Sequence, residues 1–597
     1  MTFRYVPAPA TLFREIRKLP AGHFVLYHDG HLDDHVYWEL PWESDPGTYR
    51  DEEEAANELI SLLSDTVERH LQSEMPVGVF LSGGVDSSAI LALASGAQER
   101  LASQSPFAEP GENLGLDSLS PQIAGQILAA HASRSHTSLE SFTLGFAHGG
   151  VPQTGFWELD QARVTARRFG THHHQRIVEA EVVPYDLPRI LWQLEEPLGD
   201  PGVIPMFYIS QMAAQAGVPV VLSGEGADEL FAGYDVYLAS RIVKAFRRVP
   251  SGLREHLLRP LAALIPSHMH GHNLAHRLLD PVDQWYRGVG ATFTEEEKQA
   301  IYSPRMRHIA SQIDMQSVVS PFFPRMNALS DNRGKCLGND TLAAMLYFDV
   351  RSSLADDTLL KADRLTMAYS VELRVPFLDH LMVEFAATLP PEFKLAGHTL
   401  KYILKKALGN VLPAEILYRK KLGFTAPVTA WMSRDLHAYA ETLLTSSRFR
   451  DRGYFDDRSI RHLLEPARCM SDVGSRQVFT LLVLELWHRL FVDGDRDLLA
   501  APAFEEQTDN APSALTGDLA DCTQQPQERQ RRWQPRLTRL HPELPSTPSP
   551  RPSPFPPTPC PWTVEPECRI MAATGGSRCK MSSTSQGYQG CRRAGLR

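Results

Sequence analysis

The sequence predicts an α/β protein: a parallel sheet with helices on both faces, a helical C-terminal part and a disordered tail. Three observations predict it. Short apolar runs at Val77–Leu81, Ser141–Phe146 and Val218–Leu222 alternate with helical segments such as Asp160–Phe169, the order that builds a parallel, helix-covered sheet. From about Ala239 to Leu498 helical periodicity dominates, including Leu381–Leu389 and Val478–Phe491, so helices cover the sheet and shape a pocket. Beyond Phe504, ten of the twenty residues from Pro542 to Pro561 are proline, and such a segment cannot form a packed core.

Bulk properties bound the function. A chain of 597 residues exceeds the roughly 250–300 at which single cores stop growing, so two or more domains are expected. With 43% apolar and 22% charged residues, it is an ordinary globular protein. A net charge of −11 excludes a general nucleic-acid or anionic-membrane binder. No run of about 18 uninterrupted apolar residues occurs and Met1-Thr2-Phe3-Arg4 opens no signal peptide, which predicts a cytoplasmic protein without membrane contact. Seven cysteines, the first at Cys336 and five beyond residue 520, lack CxxC spacing and indicate neither disulfides nor thiolate metal sites.

In chain order, residues 1–45 carry short apolar runs such as His23–Tyr27 broken by Asp29-Gly30, a hairpin signal. At Asp51 an acidic start precedes Leu59, Ile60, Leu63, Val67 and Leu71 at helical spacing, and a second domain, residues 46–504, begins there. Val77–Leu81 reads as a buried strand and Ala89–Ala94 as a helix, with a glycine-rich turn between. Residues 97–140, rich in Ser, Gly and Pro, read as a loop insertion. Residues 505–597 form the tail, with eleven arginines and one lysine, Lys580.

The turn is Ser82-Gly83-Gly84-Val85-Asp86-Ser87-Ser88. Two glycines between a strand and a helix let backbone N–H groups approach a polyphosphate at the positive helix end, and Ser82, Ser87 and Ser88 add hydroxyls. No Gly-Lys-Ser/Thr follows, so it is not a Walker A loop. Asp86 would repel phosphate unless a cation intervenes, and Mg²⁺ suits carboxylates combined with phosphate oxygens. A second acidic supplier stands after a later strand, in Ser223-Gly224-Glu225-Gly226-Ala227-Asp228-Glu229. Parallel strands end on one crevice, so Asp86 and Asp228 can face one ligand. Taken alone, Asp228-Glu229 reads equally as an acidic helix start.

These two strings, with Val371-Glu372-Leu373-Arg374-Val375-Pro376-Phe377-Leu378-Asp379 and Arg419-Lys420-Lys421-Leu422-Gly423-Phe424, resemble the ordered signatures of the asparagine synthetase family over about residues 1–500. The resemblance implies a PP-loop ATP pyrophosphatase domain of the adenine nucleotide alpha-hydrolase-like type. Such a domain adenylates the aspartate side-chain carboxylate with Mg-ATP and lets ammonia displace AMP. It implies that Asp86 and Asp228 hold Mg²⁺ on the pyrophosphate and that Lys421 neutralises its growing charge. Leu81, Ser82, Gly83, Gly84, Ser87, Ser88, Leu144, Ser223 and Gly224 would contact the nucleotide, and Glu225 would orient ammonia or take its proton as a carboxylate kept ionised near cations.

Other positions are open. Lys361-Ala362-Asp363-Arg364-Leu365-Thr366-Met367 resembles a family cleft segment but reads more readily as a solvated helix face. Arg374 and Asp379 read equally as a structural ion pair or as substrate contacts. His172-His173-His174 cannot all chelate one metal, because neighbours on a strand point to opposite faces. Surface or strand-start histidines are the expected reading. Tyr5-Val6-Pro7-Ala8-Pro9, Lys18–His23 and Tyr37-Trp38 resemble the closing stretch of the family's class II glutamine amidotransferase domain. Its nucleophilic Cys is replaced at position 2 by Thr2, so a truncated glutaminase half is expected, with use of free ammonia or of a separate glutaminase as the alternative, and the chain as given is expected not to hydrolyse glutamine by the family mechanism. The expected partners are small molecules, aspartate or a similar acid and ammonia derived from glutamine, with a homodimer left open. A ligase for another acid, of the β-lactam synthetase kind, and a non-catalytic nucleotide-binding relative are the alternatives. A tRNA-thiolating enzyme is disfavoured without catalytic cysteines or a basic face.

Overall fold

A computed structural model describes residues 1–41, 51–104, 139–148, 151–152, 156–246, 249–253, 256, 278–323, 340–419, 426–433 and 435–500. All of them belong to one compact unit, Met1–Gln507. The expected tail lies outside the described residues.

The chain opens with a hairpin, β1 (His23–His28) and β2 (His31–Val36), whose register turns at His28↔His31. Asp29 and Gly30 both have positive φ, 49° and 82°, the turn geometry that an Asp-Gly pair supplies. Residues 1–18 are tied to the rest of the unit. Phe3 and Tyr5 are buried in a main core, and the Gly199 N–H donates to the Arg4 carbonyl at 2.6 Å.

The central sheet contains five parallel strands in the order β6 (His172–Glu179), β4 (Glu140–His148), β3 (Val77–Phe80), β7 (Val220–Leu222) and β8 (Glu372–Arg374). A two-residue antiparallel strand, β5 (Val151–Pro152), pairs with the end of β4. Side-chain alternation divides β3 between two cores. Val77, Val79 and, just past the strand, Leu81 join one, together with α1 (Glu52–His70), α2 (Val85–Gln104) and α3 (Phe156–Arg168). Phe80 joins the other, with α4 (Val183–Leu194) and α5 (Val203–Gln215). Asp51 caps α1 by accepting from the Glu53 N–H at 3.0 Å, and Glu52, Glu53 and Glu54 fill its first turn, favourable charges at the positive helix end.

Beyond β7 come α6 (Ala227–Phe231), α7 (Thr341–Asp349), a wide-turn π segment (Val350–Leu359), α8 (Leu360–Met367), α9 (Tyr402–Ala407) and α10 (Asp472–Trp487). Two expectations need correction. The helix after the glycine turn runs on to Gln104, past the expected loop start at residue 97, because Ala97-Gln98-Glu99-Arg100-Leu101-Ala102 are all good helix formers. The part of the insertion from 105 to 138 lies outside the described residues. The stretch after Ala239 also contributes a fifth parallel strand, β8, three residues long, too short to show a period of its own.

The strand order contains a switch. β3, β4 and β6 extend the sheet in one direction, and β7 and β8 extend it in the other. The crevice between the carboxyl ends of β3 and β7 is therefore where an open α/β sheet binds its ligand.

Phe142 on β4 is fully buried, edge-on to Phe80 and stacked on His174. Phe142→Ala should cost about 3–5 kcal/mol of unfolding free energy, measured by urea titration. A loss below about 1 kcal/mol would show that β4 is not central to the core.

Candidate active site

Both acidic loops leave the sheet at the switch point. β3 ends at Phe80 and α2 begins at Val85, with Asp86 in its first turn; β7 ends at Leu222, with Asp228 in the first turn of α6. The loops touch closely enough to explain one glycine. A Cβ on Gly224 would lie 2.9 Å from the Asp86 Cβ and 3.0 Å from the Ser87 N, so only glycine lets the loops meet without displacing the Asp86 backbone.

Asp86 and Asp228 converge on a lysine that sequence reasoning missed. Lys401 Nζ lies 2.6 Å from Asp86 Oδ2 and 2.6 Å from Asp228 Oδ1, and its side chain is only 6% exposed. Burial opposes the Lys401 charge, but Asp228 and Asp86 outweigh it and hold the ammonium well above the usual lysine value. Gly233 makes room for the bridge: a Cβ there would fall 1.8 Å from Asp228 Oδ1 and 2.2 Å from the Lys401 Cε. Lys401 has φ 55° just ahead of α9, in a lysine-rich stretch, Lys401-Tyr402-Ile403-Leu404-Lys405-Lys406, whose only sequence signal is helical charge.

Around this bridge is a cavity of about 470 Å³, lined among others by Ser82, Gly84, Asp86, Ser87, Ser223, Gly224, Glu225 and Asp228. Phe80, Lys401, Lys405 and Arg419 also line it. Ser82 and Ser87 brace the loop, with their hydroxyls 3.1 Å apart and the Ser82 N–H donating to Ser87 Oγ at 3.1 Å.

Several expected contacts fall elsewhere. Ser88 is fully buried, and its hydroxyl faces the interior without a partner among the described residues. Gly83 takes φ +69° and lies against α3, where a Cβ would sit 3.0 Å from the Ala162 N. Its need for glycine is a turn and a close packing contact. Leu81 and Leu144 are packed in the two cores, and the Leu81 carbonyl is occupied by the Thr143 hydroxyl at 2.5 Å, so neither side chain lines the cavity. Lys421 lies outside the described residues.

Glu225 lines the cavity. Burial raises its carboxyl above the usual glutamate value against the opposing charge of Lys361, so desolvation outweighs the cation expected to keep it ionised. Lys361 itself corrects the reading of a solvated helix face. It is buried and ion-paired to Asp200, whereas Asp363 and Arg364 on the same helix are exposed. Asp200 also pairs with Arg4 (3.2 Å), whose Nε donates to Asp357 at 2.6 Å. Although burial raises it, Arg4 and Lys361 hold Asp200 well below the usual carboxylate range. Arg374 and Asp379 do not pair with each other. Arg374 donates to the carbonyls of His70 and Gln72, while Asp379 pairs with Arg69 at 3.1 Å and caps the following helix. Both hold α1 against the end of the sheet.

These residues fit a divalent cation. Two carboxylates from different loops meet at a point already occupied by a positive charge, and carboxylate oxygens are the donors Mg²⁺ prefers. Lys401 and an ion would share the same acceptors. Lys401→Gln should therefore destabilise the fold by about 1–3 kcal/mol, because two half-buried carboxylates lose their counter-charge. Millimolar Mg²⁺ should restore part of that loss in urea unfolding. Unfolding midpoints that do not respond to Mg²⁺ would count against a shared cation site.

Known proteins share this arrangement of sequence. The family described as "Asparagine synthase" matches residues 58–489. Asparagine synthetase (glutamine-hydrolyzing) 1 of Bacillus subtilis (strain 168) is 31% identical over 494 residues, covering 83% of this chain and 68% of its own length. A putative asparagine synthetase (glutamine-hydrolyzing) of Mycobacterium tuberculosis (strain ATCC 25618 / H37Rv) is 32% identical, covering 82% of this chain and 66% of its own. The amidase chry2 of Gibberella zeae is 24% identical over 485 residues, covering 76% and 65%. The chain thus spans about two thirds of the length of these relatives.

Proposed function

The chain belongs to the asparagine synthase family, and from that premise we propose that it makes asparagine from aspartate, ATP and ammonia through an aspartyl-adenylate. The observation that carries this reading is the convergence of Asp86 and Asp228 on one cationic point at the switch of the sheet.

In this reading ATP lies in the cavity with its phosphates at the start of α2. A side-chain carboxylate oxygen of aspartate attacks the α-phosphorus and pyrophosphate departs. Asp86 and Asp228 would hold Mg²⁺, which would supply charge neutralisation when bound. Lys401, on the same cavity wall, directs positive charge toward the departing pyrophosphate, where negative charge develops. Lys405 and Arg419 add cations on the same wall, and Lys421 is assigned the same task. Ammonia then attacks the acyl carbon, its surplus proton passes to Glu225, and AMP leaves. A carboxylate raised by burial is the better proton acceptor for that step. An acceptor acid other than aspartate is the second reading, favoured by the similarity to proteins named as amidases.

Radiolabelled pyrophosphate should exchange into ATP only with Mg²⁺ and aspartate present. Asp86→Ala should lower that exchange by about 10²–10³-fold with an unchanged circular dichroism spectrum. Exchange supported by another acid and not by aspartate overturns the choice of acceptor, and full exchange by the variant overturns the site.

Glu225→Gln should retain exchange yet lose amide formation by about 10²-fold. Because the Glu225 carboxyl is raised above its ordinary 4.5, the proton-accepting form is lost as pH falls through that higher value. At constant free ammonia, amide formation by the wild-type protein should fall on acidification above the ordinary glutamate range. The same fall in Glu225→Gln would assign the titration to another group.

A further inference from the structure

The three histidines that open β6 take no part in the nucleotide cleft, and the sheet sorts them by face. In the parallel register Glu140 stands opposite His172, Ser141 opposite His173 and Phe142 opposite His174. Alternation sends His173 to one face, where its Nδ1 meets the Ser141 hydroxyl at 2.9 Å. His172 and His174 share the other face with Glu140. There, one carboxylate oxygen, Glu140 Oε2, lies 2.7 Å from His172 Nδ1 and 2.6 Å from His174 Nε2.

We propose that Glu140, His172 and His174 form a binding site for a first-row divalent transition-metal ion of the Zn²⁺ class. The donor set is two imidazole nitrogens and one carboxylate oxygen, which suits such an ion. All three donor atoms lie within 4.8 Å of one another, whereas tetrahedral ligands at about 2.0–2.1 Å from zinc are roughly 3.3 Å apart. Small side-chain rotations suffice to admit the ion. No proton need leave the protein: a shift of each neutral imidazole to its other tautomer turns a ring lone pair toward the carboxylate. One ligand is already braced, since the His174 ring stacks on Phe142 with centroids 4.8 Å apart and an interplanar angle of 12°, and Phe142 is fixed in the core. His172, 64% exposed in its side chain, leaves the ion open to solvent for a further ligand.

The site lies at the amino ends of β4 and β6, whereas Asp86 and Asp228 follow the carboxyl ends of β3 and β7. In a parallel sheet these are opposite edges. An ion here would clamp β4 to the edge strand β6 and touch no reacting group.

Calorimetric titration of the full chain with ZnCl₂, after its accessible thiols are alkylated, tests the proposal. One equivalent should bind and should raise the thermal midpoint. His174→Ala and the isosteric Glu140→Gln should each weaken binding at least roughly tenfold and abolish that rise, while His173→Ala should retain both. Substrate-dependent pyrophosphate exchange should be unchanged in Glu140→Gln. Absence of a stoichiometric site, or equal binding by wild type and Glu140→Gln, overturns the proposal, as does a loss in His173→Ala as large as that in His174→Ala.

Discussion

The cleft depends on a buried ammonium held between two carboxylates. Asp86 and Asp228 each approach Lys401 within 2.6 Å, so their nearest oxygens are no more than about 5 Å apart. At that separation two like charges repel by roughly 3 kcal/mol at an effective dielectric of 20. Without a cation, the loops after β3 and β7 would be pushed apart. With one, they meet so tightly that only glycine fits at positions 224 and 233. The same fact explains the chemistry assigned to the cleft: a place built to hold positive charge beside a helix start is a place where polyphosphate can settle.

Much of this was legible in the sequence. The glycine turn, the acidic string after the later strand and their meeting at the strand ends all follow from strand–helix alternation and from the rule that parallel strands end on one crevice. Lys401 was not legible. It lies more than three hundred residues from Asp86 in the chain, in a helical stretch with three lysines, and nothing local separates the buried one from its neighbours. Lys361 was misread for the same reason, because burial of one charge on a helix is decided by what packs against it. β8 escaped notice because three residues cannot show a period. Leu81 and Leu144 show the converse limit. Strand residues flanking a loop share its position along the sheet, yet side-chain alternation turns them into the cores.

The first residues of the chain enter the interior through charge as well as apolar packing. Arg4 joins Asp200 and Asp357, Asp200 also binds Lys361, and Lys361 is the cation that opposes the burial of Glu225. Asp357 comes from the π segment, where the wider turn alters the direction of the side chains relative to the flanking α-helices. A buried network of two cations and two carboxylates is electrostatically stable only when complete, because removal of one member leaves an uncompensated charge in a low-dielectric interior. It ties the N-terminal stretch to the wall of the cleft, so the setting of Glu225 depends on residues far from it in sequence.

The two edges of the sheet are unequal for a physical reason. At the carboxyl edge, loops from strands on both sides of the switch converge, and helix starts present unpaired N–H groups to the same space. That edge gathers ligands from four distant segments, around Asp86, Ser223, Lys401 and Arg419. At the amino edge, side chains meet where neighbouring strands place them in register on one face. Glu140 and the alternate histidines of β6 are such a case. Chemistry at the first edge therefore has to be assembled by the whole fold, whereas a cluster at the second needs only two adjacent strands and an alternating sequence.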